Sequence, residues 1–126
     1  DYYMNSIGKI GICAECGYHK DPSSTKVAEE CIISFLRIRG HISGSTKLCG
    51  QSHIHMYQIY ITKTDNFLLS KSYNDFEEIP SGEVIGTDGQ EKIVAGKDSI
   101  ILFPSNTDKI GEEAFLLGEK RKDPGQ

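Results

Sequence analysis

The amino-acid sequence predicts an α+β protein that is mainly β, and three observations predict it. Apolar residues recur at helical spacing in a single stretch, 27–38. Beyond Gly44 no helical periodicity persists, and short alternating or β-branched runs take over. Turn-forming groups punctuate those runs at short intervals, the pattern of a small β-barrel or sandwich-like domain.

Residues 7–16, Ile-Gly-Lys-Ile-Gly-Ile-Cys-Ala-Glu-Cys, read as a short strand whose glycines let another backbone or a ligand come close. Gly-Tyr-His-Lys-Asp-Pro follows. Asp21 suits an N-cap and Pro22 the first helical position, where a missing N–H costs nothing. Val27, Ala28, Cys31, Ile32, Phe35, Leu36 and Ile38 then predict a helix over 22–39, with Glu29, Glu30, Arg37 and Arg39 toward water. Gly40 ends it by accepting a left-handed conformation.

Across 53–63 the residues alternate. His53, His55, Tyr57, Ile59 and Ile61 share one face; Ile54, Met56, Gln58, Tyr60 and Thr62 share the other. Further strands are predicted at 67–71, 83–86, 91–94, 99–103 and 114–118. Thr64-Asp65-Asn66, Pro80-Ser81-Gly82, Asp88-Gly89, Gly96-Lys97-Asp98 and Pro104-Ser105-Asn106 turn the chain between them. Two unequal parts result: a strand–helix unit over 1–43 and a β-rich domain over 44–126. One strand and one helix bury too little to offset their ordering entropy, so the strand needs a sheet. Either the β domain supplies it or residues outside this sequence do, and the second is favoured.

With 37% hydrophobic and 25% charged residues and no Trp, the 126 residues can bury only a modest core. The net charge of −4 carries no basic excess, which argues against nucleic acid as a partner. The one basic cluster, Lys120-Arg121-Lys122, sits beside Glu119 and Asp123 and reads as a solvated tail. No apolar run approaches the roughly eighteen residues a membrane helix needs, and no signal peptide opens the chain, so no membrane partner is expected. Met4 is internal and Asp-Tyr-Tyr-Met does not look like a natural start, so a processed or truncated chain is expected. Four cysteines without a secretion signal point to a reducing, cytoplasmic setting.

One combination is more specific. Ile7-Gly-Lys-Ile-Gly-Ile-Cys-Ala-Glu15-Cys-Gly17-Tyr-His-Lys-Asp-Pro22, the helix ending Phe35-Leu36-Arg-Ile-Arg-Gly40-His-Ile, Phe76-Glu-Glu-Ile-Pro80-Ser-Gly82-Glu-Val-Ile-Gly86, Ile100-Ile-Leu-Phe-Pro104 and Gly111-Glu-Glu-Ala-Phe-Leu-Leu-Gly118 occur in order along nearly the whole chain. Together they resemble the C-terminal part of the succinylglutamate desuccinylase/aspartoacylase family. The resemblance implies a remnant of an α/β carboxypeptidase-like zinc domain followed by a β-rich domain that shapes the pocket. The implied reaction is hydrolysis of the amide of a small N-acyl amino acid-like substrate. Glu15 matches the glutamate that takes a proton from the attacking water and passes it to the departing amine, work a positioned carboxylate can do. Zinc is the cofactor of the intact family. Its ligands, a His and a Glu in one early motif plus a later His, have no counterpart here. There is no H-x-x-E, and all four histidines follow Glu15. The metal-ligand set is therefore none, and the chain alone is expected to be inactive. In aspartoacylases proper a tyrosine before the Glu-Ala-Phe segment touches substrate. Here Thr107-Asp-Lys-Ile-Gly111 has none, so no substrate-binding residue is assigned.

Other constellations read more plainly. Cys13 and Cys16 would point to opposite faces of a strand, poor geometry for shared chelation, and Cys31 falls on the apolar helix face, so the cysteines are expected to be small buried hydrophobes. His53 and His55 share a face near Cys49, yet a stable metal site wants further ligands. Lys97 sits in a tight turn, as a carrier lysine does, but lacks the flanking residues a modifying enzyme reads. No phosphate-binding glycine motif and no nucleophile elbow occurs. The rival to the hydrolase is a stand-alone β-rich binding module without catalysis. An exposed edge at 7–16 would also favour a homo-oligomer or strand pairing between copies.

Overall fold

A computed structural model describes residues 2–17, 20–47 and 50–121, and the chain divides into two compact units, Asp1–Cys49 and Gly50–Gln126. Unit 1 opens with a short helix, α1 (Tyr2–Ser6). The backbone from 9 to 16 is irregular, so the strand expected over 7–16 is not formed. A strand's N–H and C=O groups are satisfied by a neighbour, and among the described residues none pairs with this segment.

The predicted helix is present as α2 (Ser24–Ile38). Its start is shifted: Ser23, not Asp21, is the N-cap residue, and it makes no side-chain capping bond. Asp21 acts earlier, its Oδ1 accepting the Ser23 N–H at 2.8 Å and its carbonyl the Ser24 N–H at 3.1 Å. At the other end Gly40 takes φ +74°, and the N–H groups of Gly40 and His41 bond back to the Arg37 and Leu36 carbonyls, both at 2.9 Å. That is the left-handed stop the sequence predicts. No residue of α2 is buried; Val27, Ile32, Phe35 and Ile38 are 44–65% exposed.

Unit 2 is all β. Its strands are β1 (His53–Ile61), β2 (Phe67–Leu69), β3 (Glu77–Ile79), β4 (Val84–Asp88), β5 (Glu91–Val94), β6 (Ser99–Leu102) and β7 (Glu113–Arg121). They form two antiparallel sheets, ordered β1-β7-β6-β3 and β2-β4-β5. Tyr60, Ile79, Ile101, Phe115 and Leu117 of the first sheet meet Phe67, Ile85 and Ile93 of the second in one buried cluster. At its centre the Tyr60 and Phe115 rings stack with centroids 5.1 Å apart, and Phe67 tilts against both. Each fully buried aromatic contributes about 1.5–3 kcal/mol of apolar burial. The mainly β class is as expected.

Two details depart from the sequence reading. β3 was not foreseen, because Glu77 and Glu78 lower its strand propensity. β7 runs past Gly118 to Arg121, so Lys120 and Arg121 belong to a paired strand rather than to a solvated tail. Lys122 lies outside the described residues.

The strict alternation expected over 53–63 is also corrected. The register against β7 shifts between Met56 and Gln58, so Tyr57 is an extra residue in β1. A bulge of this kind exchanges the faces beyond it. His53, His55 and Tyr57 therefore share the inner face with Tyr60, while Ile59 and Ile61 join Ile54 and Met56 on the outer one. Gly118 lies under that outer face: a Cβ there would sit 2.5 Å from the Ile54 Cγ2 and 2.9 Å from the Met56 Sδ.

Candidate functional site

Glu15 lies in the irregular segment of unit 1 and is exposed. Cys13 Sγ donates to its Oε1 at 3.7 Å. The strand expected over 7–16, which would have carried Glu15, is not what the described residues form. Cys13 and Cys31 are exposed and Cys16 is half-buried, which corrects the expectation that the cysteines are buried hydrophobes. The irregular backbone supplies no packed layer for Cys13 and Cys16 to enter, and the face of α2 that carries Cys31 is open. His19 and Cys49 lie outside the described residues.

The two strand histidines are exposed on β1, where His55 stands opposite Glu119 on β7. Among the described residues no group of three or more His, Cys, Asp or Glu side chains is placed to hold a metal ion. The described residues by themselves therefore offer no ligand set that fits the zinc the family resemblance implies.

A cavity of unit 2 lies where β3, β6 and β7 run side by side. It is a cleft of about 510 Å³ lined by Glu78, Ile79, Pro80, Asp98, Ser99, Ile100, Glu119 and Lys120. The strand register brings these together: Glu78 pairs with Ile100 and Ile79 with Ser99. Charges rim an apolar floor, and each is engaged. Lys120 Nζ contacts Glu78 Oε1 at 2.5 Å, Lys97 Nζ contacts Glu119 Oε2 at 2.6 Å, and Asp98 Oδ1 accepts the Ser81 N–H at 2.8 Å. Hydrogen bonds from Lys120 and from Lys97 hold the Glu78 and Glu119 carboxyls below the ordinary glutamate range. Such groups stay ionised at neutral pH. They suit binding a molecule with both charged and apolar parts better than donating a proton as a general acid.

Lys97 occupies the predicted turn between β5 and β6, but it does not project from it. Its ammonium lies 3.9 Å above the Tyr57 ring as well as on Glu119. Tyr57 in turn shares a hydrogen bond with Ser99. The pairing of Glu78 with Lys120, and of Glu119 and Tyr57 with Lys97, does not show in the sequence, because these contacts cross between strands far apart in the chain.

Comparison with family models, with curated proteins and with solved structures finds no match for this chain. No helix among the described residues is long and apolar enough to cross a membrane.

Proposed function

We propose that this chain carries the last catalytic-domain segment and the β-rich C-terminal domain of a zinc-dependent hydrolase of the succinylglutamate desuccinylase/aspartoacylase type. Such an enzyme cleaves the amide or ester bond of a small N-acyl amino acid-like substrate. One observation carries the reading beside the resemblance: α2 is a fully formed amphipathic helix that buries none of its residues. A helix in a protein draws most of its stability from packing its apolar face, so Val27, Ile32, Phe35 and Ile38 call for a larger domain around them. Glu15 is assigned the proton transfers. Its carboxylate takes a proton from the attacking water and returns it to the leaving nitrogen as the C–N bond breaks.

The test is to express the gene's whole open reading frame and assay hydrolysis of N-succinyl and N-acetyl amino acids with and without a chelator. Chelator-sensitive activity is expected, with Glu15→Gln lowering kcat roughly 10²–10⁴-fold. Retention of most of the activity by that variant would remove Glu15 from its role. No chelator-sensitive hydrolysis at all would remove the class.

A second reading, a β-rich binding module without catalysis, is favoured by the self-contained core of unit 2 and the ion-paired rim of its cleft. Residues 50–121 expressed alone would then bind a small zwitterionic ligand as well as the whole protein does.

A further inference from the structure

Resting on the reading of unit 2 as a binding module, we propose that its cleft takes an α-amino acid with an apolar side chain. Glu78 and Asp98 receive the ammonium, Lys120 the carboxylate, and Ile100 and Pro80 the side chain.

The strand register sets these groups around one apolar residue. Glu78 on β3 stands opposite Ile100 on β6, and Ile100 opposite Gly118 on β7. Side chains two residues apart on a strand share a face, so Pro80, Asp98 and Lys120 lie on the face of Glu78 and Ile100. Lys120 Nζ meets Glu78 Oε1 at 2.5 Å, above the strand that separates theirs. Ile100 is 4% exposed yet lies outside the cluster between the sheets, so this outer layer is what covers it. Opening the ion pair uncovers an apolar contact.

Charge selects the ligand. Glu78 and Lys120 neutralise each other, so a ligand of one sign exchanges one ion pair for another and leaves a partner bare. A zwitterion set between them exchanges one pair for two. Both side chains are exposed, and such pairs add little to stability, so this one yields at small cost. Asp98 supplies a further acceptor. Among the described residues its carboxylate is met by the Ser81 N–H alone, on Oδ1, and Oδ2 is left for another of the ammonium's three N–H groups. An α-amino acid carries both charges beside one carbon and sends its side chain away from them, toward Ile100 and Pro80. The cleft, about 510 Å³, falls within the roughly 300–1,000 Å³ of small-molecule sites.

Amide NMR titration of the whole chain tests this with leucine, leucinamide and N-acetylleucine. The two analogues keep the side chain, and each loses one charge. Leucine should shift the Ile79 and Ile100 amides and bind roughly tenfold more tightly than either analogue. Lys120→Met should abolish leucine's advantage over leucinamide, and Glu78→Gln its advantage over N-acetylleucine. The same spectra show whether the variants fold, and the comparison of ligands on the unaltered chain stands without them. Either analogue matching leucine on the unaltered chain overturns the proposal, as do leucine shifts that fall outside the cleft. Glycine betaine, a zwitterion with no N–H, separates this ligand class from the reading beneath it. Betaine bound at the cleft without leucine keeps the binding module and removes the amino acid; binding of neither removes both.

Discussion

The Tyr60 hydroxyl donates to Asp88 Oδ2 at 2.9 Å inside unit 2, joining the end of β1 to the end of β4. The same carboxylate accepts the Lys63 N–H at 2.7 Å, the Thr64 N–H at 3.0 Å and the Thr64 hydroxyl. Asp88 is 2% exposed, so its carboxylate relies on these donors in place of water. Its replacement by asparagine keeps the shape but turns one acceptor into a donor facing donors. Asp88→Asn should cost about 2–4 kcal/mol, and Tyr60→Phe, which removes one bond, about 1 kcal/mol. Urea unfolding at neutral pH measures both.

Acid should reveal the same carboxylate. Burial pushes the Asp88 carboxyl up, but the hydrogen bonds from Lys63, Thr64 and Tyr60 outweigh it and leave it below its ordinary value of 3.8. A depressed folded pKa contributes stability that is fully present above the unfolded pKa, about 4, and is lost as pH falls through the folded value. The stability difference between wild type and Asp88→Asn should hold steady from neutral pH down to about pH 5 and then shrink. Thermal unfolding at a series of pH values follows it; a difference that instead grows toward acid would contradict this account.

Phe76 and Phe103 are the two non-glycine residues described with positive φ, at 67° and 52°. Hydrogen bonds hold them there. The Phe76 N–H donates to the Ile101 carbonyl at 2.8 Å and the Phe103 N–H to Asp75 Oδ1 at 2.6 Å. A left-handed bulky residue stores of order 1–3 kcal/mol. The Phe76 ring is 62% exposed, so little burial opposes relief of that strain. Phe76→Gly should raise the melting temperature slightly and Phe76→Val should lower it, glycine's entropy offsetting about 0.5–1 kcal/mol of the gain.

Limited proteolysis should separate the two units. Local opening is easiest where few apolar groups are buried, and α1 and α2 bury none of their residues. Trypsin should cut first at Lys9, Lys20, Lys26, Arg37 or Arg39 and leave a resistant fragment that contains β1 to β7. Mass spectrometry of the early products reports the order; first cuts at Lys92 or Lys97 would reverse it.

Much of this was legible in residue patterns. The helix over 24–38 and its stop at Gly40 follow from spacing and from glycine's tolerance of positive φ, both local properties. So does the strand at 91–94, while the turn expected at Asp88-Gly89 falls at Gly89-Gln90, with Asp88 closing β4. The site was less legible. Asp88 reads as a turn residue, and nothing near it in the chain reveals Tyr60 as its donor 28 residues away. Glu78 with Lys120 and Lys97 with Glu119 are likewise ordinary surface charges until the strand register is known.

Local conformational preference and hydrophobic period belong to the chain itself, so the sequence alone determined a mainly β protein with one amphipathic helix. Tertiary structure decided that residues 7–16 form no strand, that the Tyr57 bulge exchanges the faces of β1, and that Lys120 belongs to a strand. In each case the deciding energy is a hydrogen bond or ion pair with a partner distant in sequence, or the lack of one.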